Sequence, residues 1–179
     1  DDRLIVWDIK TGEDLLTMHQ GNEYDVSAIA FSPDGEKIVS GDGENQIKVW
    51  DAATGEEIET LEGHGEPVTC LGFDHKGRLI SGSWDDTVRL WHESGNLTLS
   101  GHEGDITALA VHDETIVSAS EDKMLKVWNA DTGKLEQTLH VHADTIRCLA
   151  ISPDGKHIFS GSKKAILSWN FEKAPASGE

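Results

Sequence analysis

Along the whole chain, apolar residues alternate with small or polar ones in runs of five or six, and each run stops at a turn signal. Val26, Ala28 and Ala30 share one face of such a run. Val68, Cys70 and Gly72 repeat it, then Ile106, Ala108 and Ala110, then Ile146, Cys148 and Ala150. A period of two over so short a span predicts strands, and no segment repeats its apolar residues at the 3.6-residue period of a helix. The interruptions have their own chemistry. Ser32-Pro33-Asp34-Gly35 and Ser152-Pro153-Asp154-Gly155 set Pro at a φ of about −65° and Gly where φ turns positive, which closes a hairpin. Asp74-His75-Lys76-Gly77 does so without Pro, and Thr11-Gly12, Thr54-Gly55 and Thr132-Gly133 mark a second kind of hairpin.

The pattern is periodic on a longer scale. Trp7, Trp50, Trp91, Trp128 and Trp169 are separated by 43, 41, 37 and 41 residues, and Trp84 stands outside this series. Each of the five ends a similar phrase, such as Ile47-Lys48-Val49-Trp50-Asp51 or Leu125-Lys126-Val127-Trp128-Asn129. About ten residues before each of the last four comes a small-residue step: Ser40-Gly41, Ser81-Gly82-Ser83, Ser118-Ala119-Ser120 and Ser160-Gly161-Ser162. Gly63-His64 and Gly101-His102 lie between repeats, with Gly21-Asn22 and Val141-His142 in the matching places. Coincident features at one period of about 40 residues mark a repeat architecture, here with four short strands per period and an all-β chain.

These residues resemble the WD40 repeat family, whose fold is a β-propeller of four-stranded antiparallel blades. The resemblance covers the chain from Asp1 to about Asn170. It implies strands c and d of one blade over residues 1–20, further blades over 21–62, 63–100, 101–140 and 141–170, and a following hairpin or flexible tail over 171–179. Seventeen strands are therefore expected, as part of a seven- or eight-bladed ring. A ring closed by self-association of two copies is the second reading.

The family pattern places Trp on strand c, Ser or Thr on strand b, Asp in the b–c turn and His in the loop before strand a. It links them as a structural hydrogen-bond chain, which satisfies a buried indole N–H and imidazole together. His64, Ser81, Asp85 and Trp91 form one full set, and His102, Ser118, Asp122 and Trp128 another. The preceding blade offers Asn22, Ser40, Glu44 and Trp50. The last has His142, Ser160 and Trp169, with Lys163 and Lys164 where Asp belongs. These two blades are expected to be the less rigid ones.

Propellers of this family are rigid platforms for proteins. By that family's pattern, the resemblance implies that two positions per blade point to the binding face: the second residue of strand a and the residue after the small-residue step. Here they are Ser27 and Gly43, Thr69 and Trp84, Thr107 and Glu121, Arg147 and Lys163. Trp84 is a candidate contact residue, as exposed aromatics often are. F-box substrate receptors that read phosphorylated peptides carry Arg at both positions, so by resemblance Arg147 and Lys163 raise the alternative of a substrate-recognition subunit of a ubiquitin-ligase-type complex reading a phosphorylated or acidic peptide. A regulatory module of a larger enzyme is a further alternative.

Composition narrows the classes. The 179 residues carry 15 Lys plus Arg and 33 Asp plus Glu, net −18, so phosphate backbones are repelled and no direct nucleic-acid partner is expected. Residues 1–90 hold 7 basic and 20 acidic side chains against 8 and 13 in residues 91–179, which suits a basic protein or peptide partner. No apolar run reaches the ~18 residues of a membrane span. Two cysteines form no disulfide framework, so a cytoplasmic or nuclear setting is expected. Cys70 and Cys148 share a strand slot with Ala28 and Ala108 and read as buried, inert thiols. His140 and His142 lack further ligands at metal spacing. No metal, no cofactor and no catalytic residue is expected, and the chain reads as a non-catalytic interaction scaffold.

Overall fold

The computed structural model describes residues 3–21, 24–92, 95–140 and 142–170. The tail 171–179 and Asn22 lie outside the described residues. Among the described residues, alternation of side chains becomes seventeen strands in five antiparallel meanders. β1 (Arg3–Trp7) pairs with β2 (Asp14–His19). The first four-stranded sheet holds β3 (Val26–Phe31), β4 (Lys37–Asp42), β5 (Ile47–Asp51) and β6 (Glu57–Leu61). The second holds β7 (Val68–Phe73), β8 (Leu79–Ser83), β9 (Thr87–His92) and β10 (Gly95–Ser100). The third holds β11 (Ile106–His112), β12 (Thr115–Ser120), β13 (Met124–Asn129) and β14 (Leu135–His140). The last has β15 (Ile146–Ile151), β16 (His157–Ser162) and β17 (Ile166–Asn170). Within each four-stranded sheet the spatial order follows the chain order, so each is a blade with strands a to d.

The hairpin chemistry is as read. Gly35, Gly77 and Gly155, which close the a–b turns, have φ of 74°, 76° and 69°. Their Ser or Asp partners accept the turn amides: Gly35 N–H donates to Ser32 O at 2.9 Å, and Gly77 N–H to Asp74 O at 3.0 Å.

The core lies between sheets. Leu4 and Met18 of the first hairpin pack on Ile38 and Trp50. Val39, Ile47 and Val49 meet Val68 and Leu79 of the next blade. Ile80, Val88, Leu90 and Leu99 meet Ile106, Ile116 and Trp128. Ala108, Val117, Leu125 and Val127 meet Ile146 and Ile158. Each fully buried aliphatic side chain contributes about 1.5–3 kcal/mol, so a blade is stabilised mainly by its neighbours.

This packing explains the glycine of the small-residue step. A Cβ on Gly41 would lie 2.6 Å from Val68 Cγ1, and one on Gly82 would lie 2.5 Å from Ile106 Cγ2. The first strand of the following blade runs directly over that α-carbon. Where a neighbouring strand is lacking, apolar groups stay open. Ile29 and Phe31 are exposed, although their counterparts Leu71 and Phe73 are packed; among the described residues two strands, β1 and β2, stand before β3.

Candidate functional site

The repeated polar residues assemble into buried chains. In the second four-stranded blade, Trp91 Nε1–H donates to Ser81 Oγ at 2.9 Å. Ser81 Oγ lies 2.7 Å from His64 Nε2, and His64 Nδ1 lies 2.7 Å from Asp85 Oδ2. The third blade repeats this, with Trp128 to Ser118 at 2.9 Å, Ser118 to His102 at 2.8 Å and His102 to Asp122 at 2.6 Å. An ionised aspartate fixes the tautomer: Nδ1 carries the proton, and Nε2 accepts from the serine hydroxyl. The carboxylate also accepts a loop amide, Gly65 N–H in one blade and Glu103 N–H in the other.

The electrostatics follow from this geometry. Burial pushes the His64 and His102 imidazoles below their ordinary value, against the opposing pull of Asp85 and Asp122. Burial disfavours ionisation of Asp85, but hydrogen bonds from Thr87, His64 and Gly65 outweigh it and hold the carboxyl below the usual range. Asp122 behaves alike, through His102, Met124 and Glu103. Although serine, histidine and aspartate are in line, Ser81 and Ser118 are fully buried and their oxygens already accept an indole N–H. No substrate atom can reach them, and the chains rivet loop to strand.

The first four-stranded blade corrects the sequence expectation. Trp50 Nε1–H donates to Ser40 Oγ at 2.9 Å, and Ser40 Oγ donates to Gln20 Oε1 at 2.8 Å. Gln20 Nε2 then donates to Asp42 Oδ2 at 2.8 Å. Gln20 and Asp42 thus take the histidine and aspartate positions, both fully buried. Glu44 is not the carboxylate of this chain; its amide is capped by Asp42 Oδ1 at 2.9 Å. The glutamine amide supplies one acceptor and one donor, as a neutral imidazole does, and its longer side chain works from two positions earlier than Asn22. The blade is therefore fully bonded rather than deficient. In the last blade His142 Nε2 meets Ser160 Oγ at 2.9 Å, but Trp169 Nε1 is buried without a partner among the described residues.

The second residue of strand a has a duty not assigned from sequence. The ladders skip Ser27, Thr69, Thr107 and Arg147, each a β-bulge that re-aims its side chain. Thr69 Oγ1–H reaches Ile106 O at 2.6 Å, and Thr107 Oγ1–H reaches Ile146 O at 2.6 Å. Ser27 Oγ–H bonds Val68 O in the same way. These hydroxyls tie each blade to the next. Arg147, at the same bulge in the last blade, is exposed.

The residue after the small-residue step lies at the end formed by b–c turns and d–a loops, the top. Trp84 N–H is held by Pro67 O, and Glu121 N–H by Asp105 O, both at 3.0 Å. Trp84 is 51% exposed, and Glu121, Lys163 and Lys164 are exposed. Gly43 lies under Tyr24, whose ring a Cβ there would meet at 3.0 Å.

The two thiols differ, against expectation. Cys70 is part-buried, its sulfur packed beside Gly82 against the core shared with the following blade, and burial pushes its thiol up to about 12. Cys148, in the same slot, is exposed because no further described blade covers β15. Among the described residues no group of three or more His, Cys, Asp or Glu could hold a metal ion. None of their helices is long and apolar enough to cross a membrane.

Comparison with known proteins bears on the repeat frame. A family model described as WD domain, G-beta repeat matches residues 13–51 and 55–92, and one for the TEP-1 C-terminal beta-propeller matches 102–167. Nuclear distribution protein nudF of Aspergillus niger is 32% identical over 160 residues, covering 83% of this chain and 36% of nudF. Nuclear distribution protein PAC1 of Arthroderma otae is 33% identical over 163 residues, 81% of this chain and 35% of PAC1. Mitochondrial division protein 1 of Kluyveromyces lactis is 26% identical over 148 residues, 73% of this chain and 21% of that protein. The chain thus spans about a third or less of these curated relatives. Repeat frame, sheet order and these matches agree, and the chain belongs to the WD40 repeat β-propeller family.

Proposed function

We propose that this chain is a non-catalytic platform that binds a protein or peptide partner on its top face. The observation that supports this reading is Trp84. It stands outside the repeat frame, half its surface is open, and its backbone is anchored through Pro67. A large aromatic held on a rigid turn adds contact area at low entropic cost, as binding hot spots do. Glu121 occupies the same position one blade on, and Arg147 and Lys163 extend the face beyond it. Ser27, Thr69 and Thr107 shape the face through their inter-blade bonds. The serines of the buried serine–histidine chains are closed to any substrate, which supports a structural role for them. The acidic first half favours a partner with basic character, and a cytoplasmic or nuclear location fits the unpaired cysteines.

Quantitative affinity capture with the chain and its Trp84→Ala and Glu121→Lys variants tests this. Partners are expected to drop at least tenfold on both variants while a bottom-side Lys10→Ala variant retains them; equal recovery on all three refutes the reading. A second reading has Arg147 with Lys163 and Lys164, all exposed, gripping a phosphorylated or acidic peptide in the manner of a substrate receptor. Loss of phosphopeptide affinity on Arg147→Ala supports it, and indifference retires it.

A further inference from the structure

The c–d hairpins are not alike, and the difference opens a groove on the outer side of the molecule. Between β5 and β6 run five residues, 52–56, and between β13 and β14 another five, 130–134. Each of these hairpins reaches back over the outermost strand of the blade before it. Gly55 presses on Met18 and Leu16 of β2, where a Cβ would lie 3.2 Å from Met18 Cγ, and Ala52 joins the cluster of Leu4 and Met18. Gly133 presses on Leu97 and Leu99 of β10, with 2.6 Å from a Cβ to Leu97 Cδ2, and Ala130 is buried beside Leu99. Asp131 fastens that hairpin to the preceding blade through Lys76 Nζ and Arg78 Nη2, both at 2.7 Å.

β9 and β10 are joined by two residues only, and Gly95 at their junction has nothing within 4 Å. Among the described residues, the outermost strand before it, β6, is largely exposed. Trp91 is partly open where Trp50 and Trp128 are 4% and 2% exposed. The result is a groove of about 700 Å³ between the first two four-stranded blades, floored by Val49, Leu61, Phe73, Leu79 and Trp91. This volume lies within the range of ligand-binding clefts. Both walls are four-stranded sheets of described residues.

The rim states the chemistry of the occupant. Asp34, Glu59 and Glu62 line it with Lys37 and His92. Asp34 is engaged by Ser32 Oγ–H at 2.5 Å and Glu36 N–H at 3.0 Å, and its charge stands against Lys37. Glu59 and Glu62 are exposed and have no hydrogen-bond or ion-pair partner among the described residues. Two unengaged carboxylates beside an apolar floor, in the half of the chain with net charge −13, complement a cation next to a bulky apolar side chain.

We propose that this lateral groove docks a short peptide segment of a partner protein, bearing leucine-like side chains flanked by lysine or arginine. The apolar side chains lie on Leu61 and Trp91, and the basic groups meet Glu59 and Glu62. This site is separate from the top face and does not require it.

The test uses fluorescence anisotropy with a labelled peptide alternating leucine and lysine, and its Leu→Ser and Lys→Glu counterparts. Saturable binding of the first peptide is expected, at least tenfold tighter than either counterpart. Glu59→Lys with Glu62→Lys weakens it roughly tenfold, the scale of two rim charge pairs reversed. Replacing residues 93–94 by the hairpin sequence 52–56 fills the groove and abolishes binding, while Trp84→Ala leaves it unchanged. If the grafted chain does not fold, Leu61→Asp on the groove floor serves the same end. Failure to saturate, equal affinity for the serine peptide, or binding that survives both the graft and the charge reversal overturns the proposal. Concentration-dependent dimers that the graft abolishes assign the groove to a second copy and overturn it too.

Discussion

Ser118 is the point at which the third blade's polar chain can be cut with one atom. Its hydroxyl receives the Trp128 indole proton at 2.9 Å and faces His102 Nε2 at 2.8 Å, and both Ser118 and Trp128 are essentially without solvent contact. Ser118→Ala removes the oxygen and strands two buried groups, an indole donor and an imidazole acceptor. Each orphaned buried group costs about 1–3 kcal/mol, so the substitution is expected to destabilise the chain by about 2–6 kcal/mol, a large share of the ~5–15 kcal/mol that holds a domain together. Ser160→Ala is the internal control. Among the described residues Trp169 has no hydrogen bond to lose, and only the half-buried His142 contact disappears, a loss of about 1 kcal/mol. Urea unfolding followed by circular dichroism compares the two midpoints. In a double-mutant cycle, Ser118→Ala with Trp128→Phe should cost less than the sum of the two single variants, since the indole donor orphaned by the first is removed by the second. Equal midpoints for Ser118→Ala and Ser160→Ala would refute the idea that these chains act as rivets.

Gln20→Ala should cost about 1–3 kcal/mol, read from the same denaturation midpoints. Because burial holds the folded His64 and His102 below their ordinary value, the unfolded chain takes up protons first. Stability is thus full above about pH 6.5 and declines as pH falls from there toward the folded values. Below the ordinary carboxylate range the lowered Asp85 and Asp122 continue the decline, and a urea series from pH 7.5 downward checks the sign. Gly82→Ala forces a methyl to 2.5 Å from Ile106 and 2.7 Å from Cys70 Sγ, and should cost about 1–3 kcal/mol by overpacking. An alkylating reagent followed by mass spectrometry should modify Cys148 long before Cys70, whose thiol is pushed up to about 12.

The blade architecture was legible because it rests on features that recur with a period: alternating strands, glycine-closed turns and a tryptophan about every 40 residues. His64 and His102 could be placed from sequence because their neighbours stand at constant offsets from the tryptophan. Gln20 could not. It lies two residues before the expected position and uses a longer side chain to deliver the same donor and acceptor, so alignment by offset passes over it in favour of Asn22. Asp42 was hidden for a related reason, since it replaces a serine of the small-residue step and takes over the duty of Glu44. The inter-blade bonds of Ser27, Thr69 and Thr107 were invisible because their acceptors are backbone carbonyls about 40 residues away, which carry no side-chain signature. The exposure of Cys148 depends on what covers the last sheet, and the local pattern around it is the same as that around Cys70.

The most direct measurement is hydrogen exchange of the tryptophan indole N–H groups, followed one by one by nitrogen–proton correlation spectroscopy. The account expects the indoles of Trp50, Trp91 and Trp128 to be strongly protected by their serine acceptors, with Trp84 exchanging at the rate of an exposed side chain. Exchange of Trp128 as fast as that of Trp84 would contradict it.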